Sequence, residues 1–216
     1  MITKKENVNS IIETNNTCAN NEIEKDTVKS RKKITEKACK TTEKKEYQGF
    51  SLTNEYVESQ EERKLVSSKI ITNQNETIME STTAIEVIEL NDEIYLINSI
   101  NQTIVIEVVN DEAEIIINVS RTTAAATYKI TDFLKNNRVV ILTDYNNDEK
   151  RNFEYLYDYT TGKRISSGFD SIDEVDGKLK VTYGLATGNL DLDGTFTMEP
   201  DEEYIPPKGF FARLFK

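Results

Sequence analysis

The chemistry open to this chain is limited first by what it lacks, since its 216 residues include no histidine. Histidine is the side chain that moves protons near neutral pH, and it is the commonest transition-metal ligand. Ser-His-Asp and Cys-His hydrolases and most zinc sites are therefore closed to it. Carboxylate-only chemistry survives, because glycosidases work with a pair of Asp or Glu side chains. With 38 Asp and Glu in the chain, spacing alone singles out no pair. Neither GxxxxGK[ST] nor GxGxxG is present to cradle a phosphate. The expectation is a protein without an enzyme active site and without a cofactor.

Two short segments carry more specific chemistry. Asn189, Asp191 and Asp193 alternate ahead of Gly194 and imitate the start of a calcium loop, in which alternate oxygen-bearing side chains turn inward. Phe196 occupies the apolar eighth position, but the twelfth, where a bidentate Glu closes the shell, is Pro200, with Glu199 one residue off. The spacing reads first as a hairpin turn with solvated acids and second as a weak calcium site. The other segment is the C-terminal YIPPKGFFARLFK. Pro206 and Pro207 make a stiff spacer. On a short helix Phe210, Phe211, Leu214 and Phe215 share one apolar face, with Lys208, Arg213 and Lys216 adding positive charge. Such a face docks into a groove on a protein partner, inserts at an anionic membrane surface, or folds back on its own core. The position after two prolines favours an outside partner.

The elements around these segments follow from composition. Residues 1–46 carry 11 Lys/Arg against 8 Asp/Glu, and the remaining residues 16 against 30, for a net charge of −11. An acidic body repels phosphates, so nucleic-acid binding is not expected. Lys, Glu, Asn and Thr dominate residues 1–46, which predicts a disordered or partly helical leader. Cys18 and Cys39 match no zinc spacing and read as incidental thiols in a reducing compartment. Lys4 and Lys5 are not followed by an apolar run, and no stretch reaches about 18 apolar residues. The expected location is the cytoplasm. The Asn-x-Ser/Thr sites at Asn15, Asn75, Asn101 and Asn118 follow from the Asn- and Thr-rich composition.

Residues 47–80 read as a linker with a short helix around 54–68, where EYVESQEERKLVSSK is rich in helix formers. The pattern then changes. Ile85 and Val87, Ile94 and Leu96, Ile104, Ile106 and Val108, and Ile115, Ile117 and Val119 recur at a spacing of two. Polar breaks at Asn91-Asp92, 98–102 and 110–112 separate them. This predicts an antiparallel meander with Glu86, Glu89, Glu107 and Glu114 on the wet face. The unbroken run Ile115–Ile117 predicts a strand covered on both sides. NNRVVILTDY reads as a further strand, and FEYLYDYTTGKRIS as strand–turn–strand with Gly162 at the turn. Six of the eight glycines crowd into the region from Gly162 to Gly194, which predicts sharp reversals there. The fold class is mainly β, with an antiparallel, repeat-like domain over 81–200 and a proline spacer and aromatic tail over 201–216.

Within that domain, residues 155–196 resemble one unit of the WG-repeat family of short β-repeats. Thr161-Gly162-Lys163 with Ile165, Phe169-Asp170-Ser171-Ile172, Asp176-Gly177-Lys178 with Val181, and Gly188, Leu190-Asp191 and Gly194 carry the likeness. The family's Trp is absent, since the chain has none and Thr187 precedes Gly188. The resemblance implies an interaction module without catalytic residues. One such repeat cannot bury its own face, so neighbouring strands have to pack against it.

The function expected from these features is that of a non-enzymatic interaction or scaffold protein docking through Phe210, Phe211, Leu214 and Phe215. The alternatives are a structural subunit of a phage or virus-like particle, and a carboxylate-based glycan-binding or glycan-processing protein.

Overall fold

Strands run through most of this computed structural model, which describes residues 13–20, 37–59, 62–120 and 127–199, with only the backbone of 13–20 and 37–38. The described residues fall into four antiparallel sheets and one short helix, so the mainly-β class holds. The chain divides into two compact units. The first comprises Met1–Ile85 with Val108–Ala113, and the second Glu86–Glu107 with Glu114–Lys216.

The first unit is built on a five-stranded meander, β1 (Glu13–Asn20), β2 (Lys37–Tyr47), β3 (Phe50–Glu58), β4 (Arg63–Thr72) and β5 (Thr77–Ser81), paired in that order. Two expectations change here. The described parts of the expected leader are strands, and the helix expected over 54–68 is replaced by β3 and β4. The charges that suggested a helix pair across strands instead. Arg63 donates to Glu43 at 2.6 Å, pairs with Glu58 at 3.1 Å and lies over the Tyr56 ring at 3.8 Å. Phe50, Leu52, Ile70 and Met79 supply the buried apolar side chains. Cys18 and Cys39 stand directly opposite each other in the β1–β2 register, and Cys39 is disulfide-bonded, not the free thiol expected.

Three four-stranded meanders form the rest. The first is β6 (Glu86–Asn91), β7 (Ile94–Asn98), β8 (Gln102–Val109) and β9 (Glu112–Ser120). The second is β10 (Tyr128–Lys129), β11 (Val139–Asn146), β12 (Arg151–Asp158) and β13 (Lys163–Arg164). The third is β14 (Ser171–Val175), β15 (Lys178–Tyr183), β16 (Ala186–Leu190) and β17 (Phe196–Met198). Turn chemistry fixes their registers. Asn110-Asp111 joins β8 to β9, and Asp176-Gly177 joins β14 to β15. Both pairs hold left-handed backbone at each residue, as tight two-residue hairpins demand. Gly162 follows β12 at φ +69°, and a Cβ there would lie 2.0 Å from the Ile116 carbonyl oxygen.

The period of two sorts each sheet's side chains onto two faces. From the β10–β13 sheet, Val140, Leu142, Phe153, Tyr155 and Tyr157 pack with Leu90, Ile94, Leu96, Val105, Ile117 and Val119 of the β6–β9 sheet. Their sequence neighbours Val139, Ile141 and Leu156 pack on the opposite side with Ile172, Leu179, Val181, Ala186 and Leu190 of the β14–β17 sheet. The β10–β13 sheet is therefore covered on both faces, the middle layer of a stack. Burial of each such aliphatic or aromatic side chain contributes about 1.5–3 kcal/mol before chain entropy is charged against it. In β7 and β8, Tyr95, Ile97, Ile104 and Ile106 are buried as well. Ile115 is 42% exposed, which corrects the doubly covered strand expected at Ile115–Ile117. It lies in β9, the last strand of its sheet's order, where one face stays wet. The helix α1 (Asp132–Asn136) starts at Thr131, whose hydroxyl accepts from the Leu134 amide at 3.2 Å, and it buries Leu134 against the second cluster.

Candidate functional site

The calcium-like residues are built into a hairpin. Asn189 sits within β16, paired with Lys180 on one side and Thr197 on the other. Its amide faces Glu199, itself ion-paired with Lys180. Asp191 and Gly194 close the following turn through Gly194 N–H to the Asp191 carbonyl at 2.9 Å. The Asp193 carboxylate accepts from the Thr195 amide at 2.8 Å, and with the Thr195 hydroxyl this holds its carboxyl below the ordinary value. The Asp193 carboxylate and the Asp191 backbone thus serve the turn. Among the described residues no group of three or more His, Cys, Asp or Glu side chains is placed to hold a metal. Phe210, Phe211, Leu214 and Phe215 lie outside the described residues.

Two polar junctions tie β12 to the next sheet. At the first, Glu154 exchanges backbone hydrogen bonds with Phe169, and its carboxylate accepts from the Ile172 amide at 2.7 Å. Lys129 then donates to Glu154 and Asp173, both at 2.8 Å, and to the Ile172 carbonyl at 3.0 Å. Burial pulls the Lys129 ammonium down, but the Asp173 and Glu154 hydrogen bonds outweigh it and the net shift is upward. The same contact from Lys129 depresses Asp173. At the second junction Arg151 is ion-paired with Asp170 and Glu149, and it lies 4.2 Å from the Phe153 ring centroid. Phe153 stacks on Tyr183 at 5.9 Å, and the Tyr183 hydroxyl donates to Glu149 at 3.0 Å.

Beside the second junction opens a cavity of about 670 Å³, lined by Asn146, Asp148, Glu149, Tyr155, Arg164, Ser167 and Gly168. Three pieces of chain converge on it: the β11–β12 turn, the middle of β12 with β13, and the segment leading to β14. Asn146 shapes the turn, its side-chain oxygen accepting from the Asp148 and Glu149 amides at 2.9 and 3.0 Å. Tyr155 presents its hydroxyl 3.5 Å from the Asn146 amide nitrogen, and the Arg164 guanidinium lies 4.6 Å from the Tyr155 ring centroid. Gly168 packs so closely that a Cβ there would meet the Tyr155 ring at 2.8 Å. Among the described residues the side chains of Asp148, Arg164 and Ser167 form no hydrogen bond or ion pair. The sequence did not point to this group, because its members meet only through strand pairing. The visible signals were the Asn146–Glu149 turn and the aromatic alternation of FEYLYDY.

No protein-family model matches the chain, and no curated protein matches it.

Proposed function

We propose that this chain is a non-enzymatic interaction or scaffold protein. Its stacked β-sheets form a rigid body, and the aromatic segment Phe210, Phe211, Leu214 and Phe215 engages a protein partner. The observation that supports this reading is the stack itself. The β10–β13 sheet is buried on both faces, while Lys180, Thr182, Asn189 and Thr197 on the far face of the last sheet stay polar. Repeat-built interaction proteins end in this way, with a polar cap closing a continuous core. The likeness of residues 155–196 to a WG repeat agrees with that architecture. The side chains that would run carboxylate chemistry also serve structure, with Glu149, Glu154, Asp170 and Asp173 all held in ion pairs.

The test captures partners from host lysate on the intact chain and on a variant carrying Phe210→Ala, Phe211→Ala, Leu214→Ala and Phe215→Ala together. The captured protein is then purified and its affinity measured directly. Loss of at least tenfold in affinity with unchanged melting supports the proposal. Equal affinity for both chains, or binding to anionic vesicles in place of any protein, overturns it.

A further inference from the structure

We infer that the cavity bounded by Asn146, Asp148, Tyr155, Arg164 and Ser167 is a binding site for a neutral saccharide of about two sugar rings. This goes beyond the docking proposed for the aromatic tail and does not depend on it.

The polar groups around the cavity divide into those already paired and those with no hydrogen-bond or ion-pair partner among the described residues. The Glu149 carboxylate is occupied by Arg151 and the Tyr183 hydroxyl, and the Asn146 side-chain oxygen by two turn amides. The other lining residues include Asp148, whose carboxylate is an acceptor only, and Arg164, whose guanidinium is a donor only. The hydroxyls of Ser167 and Tyr155 can act as either. The wall therefore carries both signs of charge and both senses of hydrogen bond. An anion such as phosphate meets Asp148 and Glu149, and a simple cation meets Arg164. An apolar ligand meets a wall that is mostly polar.

A sugar hydroxyl donates and accepts at once, and neighbouring hydroxyls match carboxylates and guanidinium groups in pairs. Mixed polar walls of this kind suit it. Size decides between the remaining options. A half-open cleft of about 670 Å³ is wide for a single zwitterionic amino acid and has room for a ligand of disaccharide size. The frame is also rigid. The Tyr155 side chain is buried in the wall, with the Arg164 guanidinium 4.6 Å from its ring centroid and Gly168 packed against it, and β12 belongs to the doubly covered sheet. A preformed wall lowers the ordering cost of binding.

The experiment uses the full chain and ligand-detected saturation-transfer NMR with maltose, cellobiose, lactose and chitobiose, each at about 10 mM. Glycylglycine and inorganic phosphate serve as the charged comparators. Asp148→Ala and Arg164→Ala are run in parallel, with Asp148→Asn and Arg164→Lys as conservative variants for any Ala variant whose melting falls. The expected result is saturable binding of at least one disaccharide, weakened about tenfold in each variant through the loss of a charge-assisted hydrogen bond. The inference is overturned if no disaccharide binds, if binding ignores both substitutions, or if glycylglycine or phosphate binds more tightly than any disaccharide.

Discussion

Thr41 illustrates how a single side chain departs from its surroundings. It lies in β2 at 3% exposure, and its hydroxyl has no hydrogen-bond partner among the described residues. A buried unsatisfied hydroxyl carries a desolvation cost of about 1–3 kcal/mol, so Thr41→Val is expected to stabilise the chain by about 1 kcal/mol in urea unfolding. The carboxyls act in the other direction. Asp173 is depressed by the hydrogen bond from Lys129. In Asp158 burial pushes the carboxyl up, but donors from Thr160 and Thr161 more than offset it. Groups depressed on folding stabilise above their unfolded value of 3.8 and lose that contribution as pH falls through the folded value. The melting temperature should hold steady down to about pH 5 and fall below about pH 4, and Asp173→Asn should flatten part of that slope. Tyr157 responds at the alkaline end. Burial, and then the charge of Asp144, push its phenol from 10.0 to about 12. Its stabilisation is complete below 10.0 and lost as pH rises through about 12, so base unfolding should track phenolate absorbance and move to higher pH in Tyr157→Phe.

At the scale of elements, the sequence disclosed strands where one face is apolar and concealed them where both are polar. The segments that become β7, β8, β11 and β12 are dense in Ile, Val, Leu and Tyr, and the strands expected there are present. KACKTTEKKEY offers no such stripe. It becomes β2 because β1 and β3 satisfy its backbone, a long-range fact that local composition does not carry. The segment over 54–68 misled for a related reason, since its Glu and Arg residues suit a solvated helix face and a solvated strand face equally well. Turns were more legible, because Asn-Asp, Asp-Gly and Thr-Gly specify backbone geometry directly. Gly162 carries the strictest demand. Gly162→Ala combines a φ of +69° with a Cβ 2.0 Å from the Ile116 carbonyl, and it is expected to cost about 2 kcal/mol or more in denaturant unfolding. The cavity beside β12 was hidden by the same long-range logic as β2. Asn146, Tyr155, Arg164 and Ser167 come together only once β11, β12 and β13 have paired.

For the molecule as a whole, the middle sheet gives the account its weight. Leu156 is fully buried on one face of β12, while Tyr155 and Tyr157 are buried on the other. Leu156→Ala should therefore cost about 2–5 kcal/mol, the range for a cavity in a core with little room to collapse. The loss should appear as one cooperative transition across the stacked sheets, seen as a shift in the urea midpoint with an unchanged slope. The proposed docking requires that this stack be complete without the aromatic tail. The direct measurement is thermal melting of the intact chain beside one ended after Pro207. The account predicts melting temperatures that agree within about 1 °C. A fall of about 5 °C or more on truncation would contradict it and place Phe210, Phe211, Leu214 and Phe215 in the protein's own core.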